Sequence, residues 1–150
     1  MEITMDVLKE LRDKTGVSVM QCKKALEEAG GDLVKAEEVL KKASAASAEK
    51  KADRTLAAGA IGSYVHDGII GSMVLLSCET DFVGKNPDFI ALARDLALQV
   101  SAVAPESVEA LLETPFIKDE SKTVKELLSG ATQKFGERVE VTQMARFSAR

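Results

Sequence analysis

The chain has 150 residues and a mass of 16.1 kDa, with 45% hydrophobic and 29% charged residues, enough for one ordinary domain or for a small domain plus a compact module. That balance excludes a disordered chain, and with five Phe, one Tyr and no Trp the core must be built from Val, Leu, Ile and Ala. The net charge is −4, with 11 basic and 11 acidic residues through Arg54 and 9 against 13 beyond it, so neither part has the basic excess that direct nucleic-acid binding demands.

Residues 1–43 read as three short helices. Thr4 is placed to cap a first helix carrying Val7, Leu8 and Leu11, stopped near Thr15-Gly16. Ser18 and Gln21 have capping-box spacing and open a second helix with Val19, Cys22 and Leu26 on one stripe. Gly30-Gly31 ends it. Asp32 caps a third helix, with Leu33, Ala36, Val39 and Leu40 facing inward. Helices this short do not stand alone in water, so they must pack into a bundle. Residues 44–54 are rich in Ala, Ser and Lys and lack an apolar stripe, which makes them a solvated helix or a flexible linker before a second unit at 55–150.

In that second unit the periodicity changes. Leu56–His66 and Ile69–Cys78 flank Asp67-Gly68, a hairpin signal. Asn86-Pro87-Asp88 starts a helix through Phe89, Leu92, Leu96, Val100 and Val103, closed by Ala104-Pro105. Val108–Leu112 allows one or two helical turns. A further amphipathic helix is expected from Ser121 to Phe135, through Val124, Leu127, Leu128 and Ala131, ended by Gly136. Val139, Val141, Ala145 and Phe147 then share one parity, as in a third strand. The fold class that follows is α+β: a three-helix bundle, then a small antiparallel three-stranded sheet covered by helices.

Little in the chain suggests covalent chemistry. Phosphate loops, zinc-protease motifs and nucleophile elbows are absent from the sequence. Two cysteines and one histidine cannot make a four-ligand zinc site, and they suit a reducing cytoplasm. No metal site and no cofactor are expected. The longest apolar run, Ile69–Cys78, suits a strand rather than a membrane span, and Met1-Glu2-Ile3 lacks the pattern of a secretion signal. A Cys78 nucleophile would need His66, which the hairpin places opposite Ile69, about 30 Å along the strand. Cys22 reads as a small core residue. Gly59, Gly62 and Gly71 lie in strand patterns and read as close packing or bulges. Glu79 and Asp81 read as solvated strand-end acids. Phe82, at the tip of a connection, has two readings: a ring folded back onto the next helix, or a wedge held out for a partner.

Leu11-Arg12-Asp13-Lys14-Thr15-Gly16, Met20-Gln21-Cys22-Lys23-Lys24-Ala25-Leu26, Gly31-Asp32 and Cys78-Glu79-Thr80-Asp81-Phe82-Val83 together resemble bacterial translation elongation factor Ts. Lys134-Phe135-Gly136-Glu137 extends the likeness almost to the end. The resemblance implies a guanine-nucleotide exchange factor for elongation factor Tu, with no covalent step, and an amino-terminal bundle similar to ubiquitin-associated (UBA) domains. It further implies that Arg12, Val19 and Met20 touch the GTPase domain of Tu. By the same resemblance, Thr80, Asp81, Phe82 and Val83 would help dislodge its magnesium ion, with Asp81 and Phe82 intruding near the nucleotide. Two departures stand out. Val19 and Gln21 replace a methionine and an acid that the family often has, and there is room for only one of the two half-cores of longer members. The expectation is then a cytoplasmic homodimer joined through 55–150, with no direct nucleic-acid or membrane partner. An interaction adaptor with a UBA-like module, or a small cysteine enzyme, are the other readings.

Overall fold

The computed structural model describes residues 2–150. Three helices come first: α1 (Met5–Thr15), α2 (Val19–Glu28) and α3 (Leu33–Lys50). Each begins where a side-chain oxygen accepts an otherwise unpaired amide. Thr4 accepts from Val7, Ser18 from Gln21, and Asp32 from both Val34 and Lys35. Gly16, at φ 69°, ends α1 in the left-handed region, where a side chain would be strained. Leu8, Leu11, Val17, Cys22, Ala25, Leu26, Ala36 and Leu40 close a core of their own. Val19 has the right angular position for that stripe, but it opens the first turn of α2 and stays 42% exposed. Leu33 and Val39 are only partly buried.

The Ala/Ser/Lys stretch continues α3 rather than starting a coil. Its buried Ser44 hydroxyl bonds Gln133, and Lys41 Nζ donates to the Ser121 carbonyl at 3.2 Å. A turn at Lys51–Arg54 then leads into the sheet.

Strands β1 (Ala58–His66) and β2 (Ile70–Cys78) form the expected hairpin. Asp67 (φ 52°) and Gly68 (φ 68°) make the tight turn, closed by Ile69 N–H on the His66 carbonyl at 3.0 Å. His66 opposes Ile70, one residue later than the sequence pattern gives, because Ile69 belongs to the turn. Helix α4 (Asp81–Gly84) follows β2, then α5 (Pro87–Val103) with its Asn86 cap, and α6 (Val108–Glu113).

A short hairpin, β3 (Pro115–Phe116) with β4 (Asp119–Thr123), takes in Ser121–Thr123, where the last helix was expected to open. The Asp119 carboxylate accepts from both the amide and the hydroxyl of Ser121, which holds the backbone out of helix. Helix α7 (Val124–Phe135) therefore starts at Thr123, which shares a complete capping box with Glu126.

Strand β5 (Glu140–Ser148) pairs with β2, giving the antiparallel order β1-β2-β5. The expected single parity of β5 fails. Leu76 pairs with Val141 but Leu75 with Gln143, so the ladder carries a bulge at Thr142. Before it Val139 and Val141 are buried; after it the strand is inverted, and Met144 and Arg146 face the helices. Ala145 and Phe147 face away, with Phe147 77% exposed.

Helix α5 lies directly on the sheet. A Cβ on Gly62 would come within 2.1 Å of the Ala93 carbonyl oxygen, so only glycine permits this approach. In the core between the helices and the sheet, Val74, Leu76, Phe89, Leu96, Val100 and Val124 are fully buried, and Phe89 meets Phe135 edge to face at 5.7 Å. Among the described residues, the opposite sheet face is left open. Across it run Ile61–Leu75–Gln143, Ser63–Met73–Ala145 and Val65–Gly71–Phe147, in register. Ile61, Val65, Met73 and Phe147 are all more than half exposed.

Candidate functional site

The end of β2 sets the position of α4. Cys78 is buried in the core, and its thiol donates to the Thr80 carbonyl at 3.3 Å. Thr80 is extended (φ −129°, ψ 155°) and caps α4, its hydroxyl accepting from Val83 N–H. Val83 is only 5% exposed and anchors the turn in the core. Gly84 rests on β1, where an added Cβ would be 3.2 Å from the Gly59 carbonyl. Asn86 then starts α5 with its side chain on Asp88 N–H at 2.8 Å.

With Val83 and Gly84 held below, the single helical turn points Asp81 and Phe82 outward. Phe82 is 87% exposed, more than any other large apolar side chain among the described residues. The ring does not fold back onto α5. The core aromatic beside this turn is Phe89, fully buried. Thr80, Asp81 and Phe82 thus share one exposed tip, and Val83 serves as its root.

Glu79 is not the solvated acid its position suggested. Its Oε2 accepts the Arg138 amide at 2.6 Å and faces the Arg54 guanidinium at 3.5 Å. Glu137 answers from the other side. Its Oε1 accepts the amides of Glu79 and Thr80, both at 3.0 Å, and its Oε2 accepts the Thr80 hydroxyl at 2.7 Å. Arg138 completes the cluster by donating to the Arg54 carbonyl at 2.6 Å. Two carboxylates thus replace backbone ladder bonds just past the last β2–β5 pair, Ser77–Glu140. Sequence periodicity carries no sign of this. The available signal is local: Gly136 ends α7 in the left-handed region (φ 72°), and an acid follows at once.

A second exposed group lies on the bundle. Arg12 sits in the last turn of α1, and Val19 and Met20 in the first turn of α2, flanking the connection at Gly16–Ser18. Met20 is 83% exposed. An apolar side chain so placed is available to a partner surface, with a guanidinium near it in sequence order.

Nucleophilic catalysis finds no support. Cys78 stands eight positions from the residue that opposes His66, about 26 Å of strand. Burial pushes the Cys78 thiol pKa up, and the neighbouring Glu137 carboxylate adds to the rise, so the thiol stays neutral at pH 7. Burial likewise raises that of Cys22. His66 instead meets the Tyr64 hydroxyl at 2.9 Å.

Comparisons with known proteins cover both stretches of the chain. The family model described as "Elongation factor Ts, mitochondrial, N-terminal" matches residues 1–48, and the model described as "Elongation factor TS" matches residues 79–150. The chain is 37% identical over 192 aligned residues to elongation factor Ts of Anaeromyxobacter sp. (strain Fw109-5), covering 97% of this chain and 88% of that protein. It is 36% identical to elongation factor Ts of Thermodesulfovibrio yellowstonii, covering 98% of this chain and 96% of that protein. Those alignments are longer than the 150-residue chain, so both relatives carry segments that it lacks. Elongation factor Ts of Clostridium kluyveri is 43% identical over 97% of this chain, which spans 48% of that longer protein.

Proposed function

The chain belongs to the elongation factor Ts family, and we infer from that membership that it is a guanine-nucleotide exchange factor for elongation factor Tu. The observation that carries the mechanism is the 87% exposure of Phe82 on a turn rooted in the core. An aromatic presented this way loses little conformational freedom when it enters a partner's pocket. In our reading Asp81 and Phe82 enter the partner beside its nucleotide site and disturb the magnesium ion there, with Thr80 and Val83 holding them in place. GDP, held through its phosphates and that metal, is then released. By linkage, the nucleotide and the exchange factor weaken each other's binding by the same factor, so incoming GTP expels the factor in turn. No bond is made or broken, and the protein acts with its partner in the cytoplasm.

Residues 1–43 serve as a UBA-like docking module, 44–54 as the connection, and 55–150 as the exchange unit. What supports this division is the closed core of the bundle and the exposed Arg12, Val19 and Met20 at one end of it. Arg12→Ala and Met20→Ala should each raise the concentration needed for half-maximal GDP release from Tu about tenfold, as for an interface anchor. Circular dichroism and thermal unfolding should be nearly unchanged, because both side chains are exposed. Titration of each variant against Tu loaded with fluorescent GDP checks this, and unaltered half-saturation would remove the docking role.

The active species in this reading is a homodimer. Support comes from the bare sheet face, where Ile61, Val65, Met73 and Phe147 form an apolar surface that soluble monomers rarely leave open. A two-fold axis over Met73 pairs that face with itself.

A further inference from the structure

We propose that Glu137 is a positioning residue for exchange: its carboxylate fixes the backbone from which Asp81 and Phe82 project. This rests on the wedge reading above and adds a residue from a distant part of the chain. Glu137 lies 57 residues from Thr80 in sequence, at the junction of α7 and β5. Three of its contacts fall on two consecutive residues: the Glu79 amide, the Thr80 amide and the Thr80 hydroxyl, at 2.7–3.0 Å.

The consequence follows from the hydroxyl. Thr80 Oγ1 donates to Glu137 and accepts from Val83 N–H, so one side chain both receives the clamp and caps α4. A four-residue helix has almost no stability of its own, and its geometry is whatever its two ends impose. At its far end Gly84 is fixed on β1 and Asn86 on α5. At its near end the fixing groups are Glu137 and the Cys78 thiol contact to the Thr80 carbonyl. Charge-assisted bonds from a carboxylate to backbone amides are stronger than neutral ones, and here both oxygens are used. The reciprocal bond of Glu79 to the Arg138 amide ties the same two segments a second time.

Without the Glu137 carboxylate, Thr80 keeps its place in the chain but two amides and a hydroxyl lose their acceptor. The tip should then sample several orientations, and each encounter with the partner should present Phe82 correctly only part of the time. Docking through Arg12 and Met20 lies elsewhere on the surface and should be unaffected. The signature is therefore a fall in the maximal release rate at unchanged half-saturation, which a general loss of stability in the factor would not give.

The test uses the full chain and Tu loaded with fluorescent GDP. Glu137→Ala should lower the saturating release rate roughly tenfold, in line with the sensitivity of positioned groups to small displacements. Half-saturation should stay within about twofold. Glu137→Gln retains a carbonyl for the amides and should recover much of the rate. If Glu137→Ala does not fold, Glu137→Gln decides in its place: it should fold and give a saturating rate more than twofold below the parent, at unchanged half-saturation. A second measurement needs no partner: amide hydrogen exchange at Glu79 and Thr80 in the free protein should speed up in Glu137→Ala, with exchange in β1 unchanged. A saturating rate within twofold of the parent, a change in half-saturation alone, or unchanged protection at Thr80 would each overturn the assignment. Failure of the parent chain to accelerate release would instead strike the exchange reading, while the hydrogen-exchange arm would still judge the clamp.

Discussion

Phe82→Ala should leave the protein folded and remove most of its effect on GDP release. The ring is 87% exposed, so truncation gives up little buried area and should cost less than about 1 kcal/mol of stability. Exchange should suffer far more. An aromatic that inserts into a partner pocket is commonly worth at least about 2 kcal/mol, or roughly a thirtyfold fall in release rate at a fixed subsaturating concentration. The contrast is with Phe89, seven residues on, which is fully buried against Phe135. The same truncation there creates a cavity, at about 3–5 kcal/mol, and could harm exchange only through unfolding. Thermal unfolding and release rate on the one Phe82 variant therefore separate the two roles of an aromatic. A stable variant with full exchange activity would show that Phe82 is not the wedge.

Met73→Glu should convert a dimer into a monomer. Met73 is the middle residue of the middle row on the bare sheet face, between Ser63 and Ala145. In a single chain the position is 51% exposed, so a glutamate can reach water and the fold should lose no more than about 1 kcal/mol. In a dimer with a two-fold axis over the face, two glutamates meet each other among Ile61, Val65, Leu75 and Phe147. Burying unpaired carboxylates costs several kcal/mol, so the dissociation constant should rise at least about a hundredfold. Sedimentation velocity at micromolar concentration should give twice 16.1 kDa for the parent chain and the single mass for the variant. A parent chain that sediments as a monomer while retaining exchange activity would contradict the dimer.

Most of the helices were legible because their caps are written in the sequence. Thr4, Ser18, Asp32 and Asn86 each sit one residue before a helix and accept at least one of its free amides. The hairpin at Asp67-Gly68 was equally plain, since both residues adopt positive φ there. The α+β class followed from those marks. What failed were one feature set by a partner strand distant in the chain and one too short to leave a pattern. The β5 bulge lies opposite Leu75 and Leu76, and no property of residues 140–148 alone shifts the parity at Thr142. The β3–β4 hairpin is two pairs long, too short for any periodicity to register.

The site divides the same way. That Phe82 deserved notice came from the residues themselves, and the role proposed for it and for Asp81 came from family resemblance. Their outward direction is a product of burial at Val83 and Gly84, and the clamp from Glu137 spans 57 residues. Neither could be read from spacing. Gly62 is an intermediate case: close packing was the natural reading of a glycine in a strand, but its neighbour, the Ala93 carbonyl, is visible only in the fold.

The most direct measurement of the central claim is GDP release from Tu, with and without saturating amounts of this chain, in excess magnesium and again after chelation. If the exposed turn acts by disturbing the metal, the chain should accelerate release strongly when magnesium is present. Once the metal is gone, Tu should already release GDP faster by itself, and the chain's additional factor should shrink by about tenfold or more, because a step already taken cannot be gained twice. No acceleration in magnesium, or the same factor before and after chelation, would contradict the account.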